Sequence, residues 1–393
     1  MAEPLATERC GPLEGIRVLD LSTVVLGPMT GQYLGDMGAD VIKVEAPDGD
    51  ITRSIGPRRS ERMGALFLAN NRNKRSIVLD LKVAADRQAL DRLVEKSDVV
   101  LHSIRSSAAE RLGLSHERLS SLNPTLIYCH LLGFSDRGPY AGNPAYDDIV
   151  QSLSGLAMLQ KIAAGEPRYV PSIIADKITA VHAAYAIALG LFHRARTGRG
   201  QKVSVPMLET MVAFNSAEHL GGCIFEPAEG AMGYEPIRHG MRRPFQTRDG
   251  FICFLPYNDA NWRRFLMIAE RTDLLADQRF STQVGRQANL ALIWKEVAEI
   301  LRLRSTAEWM GLLEGSDIPH AVVNDLEDLL DDPHLEATGF WEMRTHPTEG
   351  LMRLPANPLQ FSDSPASIRR LPPRLGEHGA EILEEFGLAR PAA

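Results

Sequence analysis

A chain of 393 residues is longer than one compact core usually serves, so two domains are expected. Apolar residues make up 44% and charged residues 24%, the balance of an ordinary globular protein, and a net charge of −7 argues against a general nucleic-acid binder. Cys10, Cys129, Cys223 and Cys253 form no C-x-x-C pair, so neither a zinc site nor a disulfide framework is indicated, and reduced thiols in a cytoplasmic enzyme fit best.

The first ten residues carry acids and no apolar segment, and read as a short disordered leader rather than a secretory signal. Residues 16–21 read as a buried strand, 22–27 as a turn, 28–37 as a helix opened by Pro28, and 41–44 as a second strand, a β-α-β unit that implies a parallel sheet. Glu45 closes that second strand where a ribose-binding acid would sit in a nicotinamide enzyme. The turn before it, Val24-Val25-Leu26-Gly27-Pro28-Met29-Thr30-Gly31, lacks the spaced glycines that let backbone approach a pyrophosphate, which argues against a dinucleotide site. Strands over 76–81, 98–102 and 125–132 alternate with helices over 84–96 and 108–112. The expected fold class is therefore α/β, a Rossmann-like doubly wound parallel sheet. Ligands of such sheets lie beyond the carboxyl ends of the strands, so the loops at 22–27, 103–107 and 133–146 are the expected walls of a site.

A helix of about twenty residues follows Ala175, signalled by alanines interleaved with Ile178, Val181, Ile187, Leu191 and Phe192. Its longest apolar run, 180–192, is shorter than the roughly 18 residues a membrane span needs and contains His182 and Tyr185, so no span is expected. The turn at 197–200 stops it, 201–205 alternates as a strand, and Pro206 opens a helix towards residue 218. Large-domain sequence thus fills 1–220. The glycine- and proline-rich stretch 221–243 reads as a linker. A smaller α+β domain is expected over 244–330, with a strand at 250–255 and helices at 260–269, 290–301, 305–313 and 324–330. Residues 331–393 contain strand-like runs at 351–354 and 359–361, a proline-rich connector and a terminal helix.

One carboxylate, Asp176, stands where an apolar run gives way to the alanine-rich helix. Unpaired N–H groups of a first turn favour an anion there and would hold Asp176 ready to attack an electrophile; the alternative is a plain helix cap.

Asp176 with its long helix runs into Thr197-Gly198-Arg199-Gly200-Gln201-Lys202-Val203. Gly11-Pro12-Leu13-Glu14-Gly15-Ile16-Arg17-Val18-Leu19-Asp20, Gly27-Pro28, Gly38-Ala39-Asp40-Val41-Ile42-Lys43-Val44-Glu45, Asn73-Lys74-Arg75-Ser76 and Glu110-Arg111-Leu112-Gly113-Leu114 precede it in order. This series resembles the family III CoA-transferases, the CaiB/BaiF family. The resemblance implies an acyl-CoA and a small carboxylic acid as substrates, no permanently bound cofactor and no metal, and Asp176 as the catalytic nucleophile. It assigns CoA binding to Val25, Leu26, Leu79, Lys82, Ser103, Ile104, Arg105, Ala108, Arg111, Tyr146 and Asp147. It also implies a homodimer of two chains interlocked as linked rings, with the C-terminal segment crossing back to the first domain; nucleic acid and membrane are not expected partners.

The chain departs from the family in three places. The loop Ser103-Ile104-Arg105-Ser106-Ser107 replaces the common Asn, aromatic, Arg, Pro, Gly. Related α-methylacyl-CoA racemases carry a His at position 146, whereas Tyr146, with an ordinary pKa near 10, is a poor base. The glycine-rich lid of such transferases has no clear counterpart; Pro256-Tyr257-Asn258-Asp259 and Gly221-Gly222 are the two candidates. His239, Arg242 and Arg243 are candidates for an acceptor carboxylate or for a plain surface cluster. The leading reading is a CoA-transferase passing CoA through an aspartyl mixed anhydride and an aspartyl-CoA thioester, with succinyl-CoA as the donor that family analogy favours. The alternatives are a racemase or epimerase and a non-catalytic CoA-binding protein.

Overall fold

The computed structural model describes residues 11–238 and 242–388; Cys10 and His239 lie outside them. The described residues divide into two compact units, one built from 11–156, 169–214 and 333–388, the other from 157–168 and the described part of 215–332.

In the first unit the elements run β1 (Arg17–Asp20), α1 (Leu26–Asp36), β2 (Asp40–Glu45), α2 (Ala65–Asn70), β3 (Lys74–Val78), α3 (Ala84–Glu95), β4 (Val99–His102), α4 (Ser106–Arg111), α5 (His116–Leu122), β5 (Ile127–Leu132) and α6 (Asp147–Leu153). α8 (Ile174–Thr197), β6 (Gln201–Pro206) and α9 (Met207–His219) follow; α7 (Leu156–Ala164), beyond its first residue, and α9 from Asn215 on belong to the second unit. Six strands form one sheet in the order β3-β2-β1-β4-β5-β6, every pair parallel. The order reverses between β1 and β4, so the loops leaving these two strands open a crevice at the switch point.

Side chains alternate across the sheet with period two. Val18, Val41, Val99, Leu101, Ile127 and Cys129 face a core completed by α1 and α8, while Leu19, Ile42, Val100 and Tyr128 face one completed by α3, α4 and α5. The small residues of α8 explain its seat: Ala175, Ala180 and Ala183 are fully buried, and a side chain at Gly190 would crowd Ile127. By length and composition α8 is the one helix among the described residues that is apolar enough to cross a membrane, but this face packs in the protein core. Gly198 in the left-handed region, φ 70°, ends it.

Four fully buried charges lie beneath the switch point. Lys74 Nζ donates to Asp20 Oδ2 at 2.8 Å, to Pro28 O at 2.7 Å and to Asn71 Oδ1 at 2.9 Å. Lys43 Nζ donates to Asp50 Oδ2 at 3.1 Å and to Ser22 O at 3.0 Å. Burial alone would raise the Asp20 carboxyl, but the Lys74 and Lys43 ammonium groups outweigh it and hold Asp20 below the usual carboxylate range.

The second unit has a three-stranded antiparallel sheet, β7 (Phe245–Gln246), β8 (Phe251–Phe254) and β9 (His320–Val322), in that order. Helices Asp259–Ile268, Leu290–Leu301 and Thr306–Leu313 pack on it through Trp262, Phe265, Trp294, Val297 and Trp309. The described part of segment 221–243, expected as a linker, groups with this unit: Gly222 N–H bonds Ala231 O at 3.2 Å and Gly233 N–H bonds His219 O at 2.7 Å, folding residues 222–233 back on the end of α9.

Two expected elements are corrected. The helix over 324–330 is only a 3₁₀ turn, Asp328–Leu330, because Leu326 is 80% exposed and leaves no apolar face to bury. Residues 359–361 are not a strand; Leu359 N–H turns onto Asn357 Oδ1 at 3.0 Å, and no strand lies beside it. The hairpin is instead β10 (Trp341–His346) with β11 (Gly350–Pro355), antiparallel. The tail that follows packs on the first unit: Asn73 Oδ1 accepts the N–H groups of Arg369 at 2.7 Å and Arg370 at 2.9 Å, and Arg75 pairs with Glu381 and Glu385.

Removing one member of a buried ion pair strands the other, at a cost of about 3–5 kcal/mol. Lys74→Met is therefore expected to destabilise the first unit by about that amount, read as a lowered urea midpoint by circular dichroism. An unchanged midpoint counts against this role for the pair.

Candidate active site

Helix α6 begins at Asp147, and that carboxylate reaches across to the start of α8. Asp147 Oδ1 accepts the N–H groups of Ala175 at 2.7 Å and Asp176 at 3.2 Å, while its Oδ2 accepts Gln151 Nε2 at 2.6 Å. Gln151, one turn further along α6, accepts Val170 N–H at 2.9 Å and so holds the chain leading into α8. Two of the orphan donors of α8 are thereby satisfied from another helix.

The consequence for Asp176 reverses the expectation drawn from its first-turn position. Asp176 is neither a cap nor an anion stabilised by free N–H groups, because Asp147 occupies those donors. Burial, then the neighbouring negative charge of Asp147, raises the Asp176 carboxyl to about 7. Its ionisation is thus poised near neutrality.

Asp176 lines a cleft of about 200 Å³ with Thr23, Leu26, Ser103, Arg105, Asn143, Tyr146 and Met207. A second cleft of about 280 Å³ is lined by Leu79, Lys82, Ser103, Ile104, Glu45 and Asp50. Thr23 and Ser103 belong to both, and Thr23 N–H meets Ser103 Oγ at 3.5 Å, so the two clefts share a wall at the switch point. All three loops expected as walls contribute.

The residues singled out from sequence separate into groups. Leu26, Ser103, Arg105, Tyr146 and Asp176 line the first cleft; Leu79, Lys82, Ser103 and Ile104 line the second. Val25 is buried as the residue preceding α1, and Asp147 is buried in its capping role; neither lines a cleft. Ala108 and Arg111 lie on α4, Arg111 exposed, outside both linings. Arg242 lies over the Tyr234 ring and Arg243 over the Phe245 ring, each at 5.5 Å, in the second unit. Of the two lid candidates, Gly221 opens a 3₁₀ turn, and Asn258 caps a helix by accepting Asn261 N–H at 2.8 Å.

Sequence reasoning missed Thr23, Asn143, Met207 and the clamp Gln151, although the spacing of Gln151 four residues after Asp147 was a readable helical pair. It also missed Val24. This β-branched residue lines the first cleft with φ 74°, and Asp50 Oδ1 accepts its N–H at 3.3 Å. Such a conformation costs roughly 1–3 kcal/mol and persists only where the surroundings hold it, here through Asp50 and its partner Lys43. Among the described residues no cluster of three or more His, Cys, Asp or Glu side chains is placed to hold a metal ion.

These features define an α/β protein with a cleft at the sheet's switch point that is built around one desolvated carboxylate. The sequence profile of CoA-transferase family III matches residues 13–379. A succinate–glutarate CoA-transferase of Agrobacterium fabrum is 34% identical, the match covering 95% of this chain and 96% of that one. A succinyl-CoA:mesaconate CoA-transferase of Haloarcula hispanica is 33% identical over 96% of this chain and 97% of its own. The crystal structure of a CAIB/BAIF family protein from Brucella suis matches with a TM-score of 0.84 at 31% identity, covering 96% of this chain and 100% of that one. The chain belongs to CoA-transferase family III and is an acyl-CoA:carboxylate CoA-transferase.

The raised carboxyl has two pH signatures. Were Asp176 the nucleophile, it would have to react as its anion, and formation of an acyl intermediate would then speed up as pH rises through about 7. Asp147→Asn keeps an oxygen for capping but removes the like charge, and should move that limb to lower pH. For stability the sign is opposite: the folded state holds a proton between about 4 and 7 that the unfolded state has lost, so stability falls as pH rises through this window. Asp176→Asn should therefore exceed the wild type in stability at pH 8 and match it near pH 4. A wild-type rate that is flat from pH 5.5 to 8 refutes the first expectation.

Proposed function

We propose that this enzyme carries CoA from an acyl-CoA donor to a small carboxylic acid through covalent intermediates on Asp176. The observation that carries the reading is the Asp176 carboxyl, desolvated yet reachable from a cleft that shares a wall with a second cleft. CoA thioesters are the substrates of this enzyme class, and the second cleft offers Lys82, Ser103 and Ile104 to the nucleotide end. Arg105 and Arg111 add cations on the following segment for phosphate. Val25, Leu26, Leu79, Ala108, Tyr146 and Asp147 complete the assigned set, Val25 and Asp147 from behind the lining.

The chemistry then runs as four anionic displacements. An Asp176 oxygen attacks the donor thioester carbonyl; the C–O bond forms, the C–S bond breaks, and CoA leaves as thiolate, giving a mixed anhydride. The thiolate attacks the Asp176 carbonyl, forming an aspartyl-CoA thioester as the donor acid leaves. The acceptor carboxylate attacks that thioester, forming a C–O bond to the Asp176 acyl carbon and a second anhydride while the C–S bond breaks and the thiolate leaves. The thiolate finally attacks the acceptor's acyl carbon, releasing new acyl-CoA and the free Asp176 carboxylate. No proton changes hands and no redox group enters.

The names of the relatives, with glutarate and mesaconate beside succinate, support succinyl-CoA as donor and a dicarboxylic acid as acceptor. A racemase is disfavoured because Tyr146 stands on the cleft where a base is required. The unpaired thiols of Cys129, Cys223 and Cys253 fit a cytoplasmic setting. The interlocked homodimer is part of the same reading; sedimentation at nanomolar concentration should give no folded monomer, and a compact monomer there rejects it.

Trapping tests the chemistry. Enzyme incubated with succinyl-CoA and then hydroxylamine should carry a hydroxamate on the peptide containing Asp176. Asp176→Ala should fold, lack the label and lose transferase activity. A label on another carboxylate, or substantial turnover by Asp176→Ala, shows that the nucleophile lies elsewhere. Arg111→Ala should weaken CoA binding about ten- to a hundredfold by calorimetry. Unchanged affinity removes Arg111 from the site.

A further inference from the structure

The segment 103–114 supplies five of the residues assigned to CoA, from Ser103 to Arg111, yet it is a loop and one short helix. What holds it comes from the strands beside it. His102, the last residue of β4, is the register partner of His130 on β5, and Tyr128 lies two residues before His130 on the same face. All three are buried, at most 3% exposed. The imidazoles stack with centroids 4.2 Å apart, and Tyr128 meets His102 edge-on at 5.1 Å.

Their hydrogen bonds run to the two ends of that segment. His130 Nε2 lies 2.9 Å from the carbonyl oxygen of Ile104, to which it donates. At the far end the Tyr128 hydroxyl donates to Leu114 O at 2.8 Å, and its oxygen accepts from His102 Nε2 at 2.7 Å. The hydroxyl proton is committed to Leu114, so His102 must carry its own proton on Nε2. Burial keeps both imidazoles neutral and the Tyr128 hydroxyl protonated, the states these bonds require.

We propose that His102, Tyr128 and His130 form a two-point clip that positions segment 103–114 for coenzyme A. The inference rests on the CoA-transfer reading given above. Ile104 lies between Ser103, on the wall common to both clefts, and Arg105, which enters the Asp176 cleft. Fixing the Ile104 carbonyl therefore sets where both neighbours point. Fixing Leu114 sets the end of the turn that follows α4 and with it the placement of Arg111. None of the three clip residues lines either cleft, so they are positioning residues that act through the backbone.

The test uses the full-length protein, with CoA affinity by calorimetry and kcat and KM for succinyl-CoA. His130→Phe keeps a flat ring and loses the donor, while His130→Gln keeps an N–H near the Nε2 position. Tyr128→Phe removes one oxygen. His130→Phe and Tyr128→Phe should each weaken CoA binding and raise KM for succinyl-CoA about tenfold, while kcat at saturation stays within about twofold, because Asp176 and Asp147 lie on other elements. His130→Gln should stay near wild type. Unchanged CoA affinity in both Phe variants, a His130→Gln as weak as His130→Phe, or a loss confined to kcat overturns the clip. Should His130→Phe fail to fold, Tyr128→Phe decides alone. Wild-type protein that does not bind CoA would instead overturn the functional reading, and the clip with it.

Discussion

The first unit depends on charges kept out of water. Asp20 with Lys74 and Lys43 with Asp50 are fully buried, and each pair is completed by further hydrogen bonds to loop backbone or side chains. Burying such ions is favourable only when nearly every donor and acceptor is matched, which makes the arrangement intolerant of alternatives. The loop from Ser22 to Pro28 is thereby held in one shape. That shape includes the strained Val24, and it presents Thr23 and Leu26 to the cleft that contains Asp176. Two devices shape this turn: buried ions hold Val24 at its positive φ, and Gly27 leaves the room that a side chain there would take from Ser22.

The same economy governs the Asp147–Asp176 pair. Two carboxylates at one helix start divide the work. Asp147 takes the backbone donors that would have stabilised an anion, and Asp176 is left with burial and a like charge beside it. For the nucleophilic role proposed for Asp176 this matters, because a carboxylate held as a deep anion is a weak nucleophile, whereas one poised near neutrality is more reactive and still ionised in useful amount. The environment of the first residue of α6 thus tunes a residue 29 positions later, across two helices.

Much of this was legible in the residues. The buried-strand run of Ile16 to Leu21, the helical period of 84–96 and the alanine-rich run after Asp176 all report a local pattern that burial enforces, and the parallel sheet follows from them. The loops at the carboxyl ends of the strands were legible for the same reason. What escaped was set by distant partners. Nothing near Asp176 says that Asp147 will occupy its helix's donors, and nothing in Val24 announces φ 74°, because Asp50 and Lys43 dictate it. The failed strand at 359–361 makes the converse point: an apolar pair with no neighbouring strand turns onto its own Asn357 instead.

The tail's attachment bears on how the chain acquires its structure. Strand β3 lies near the amino end of the chain, but the Arg75 guanidinium finds Glu381 and Glu385 across separations of 306 and 310 residues, and Arg17 reaches Glu385 across 368. Asn73, already bonded to Asp36, meets its remaining side-chain partners only in the backbone of Ser367, Arg369 and Arg370. During synthesis, which releases residues at about 5–20 per second, the sheet edge at β3 must wait many seconds for these partners. The unit begun first is therefore finished last, and until the final helix docks, its outer strand remains an open edge able to pair with other chains.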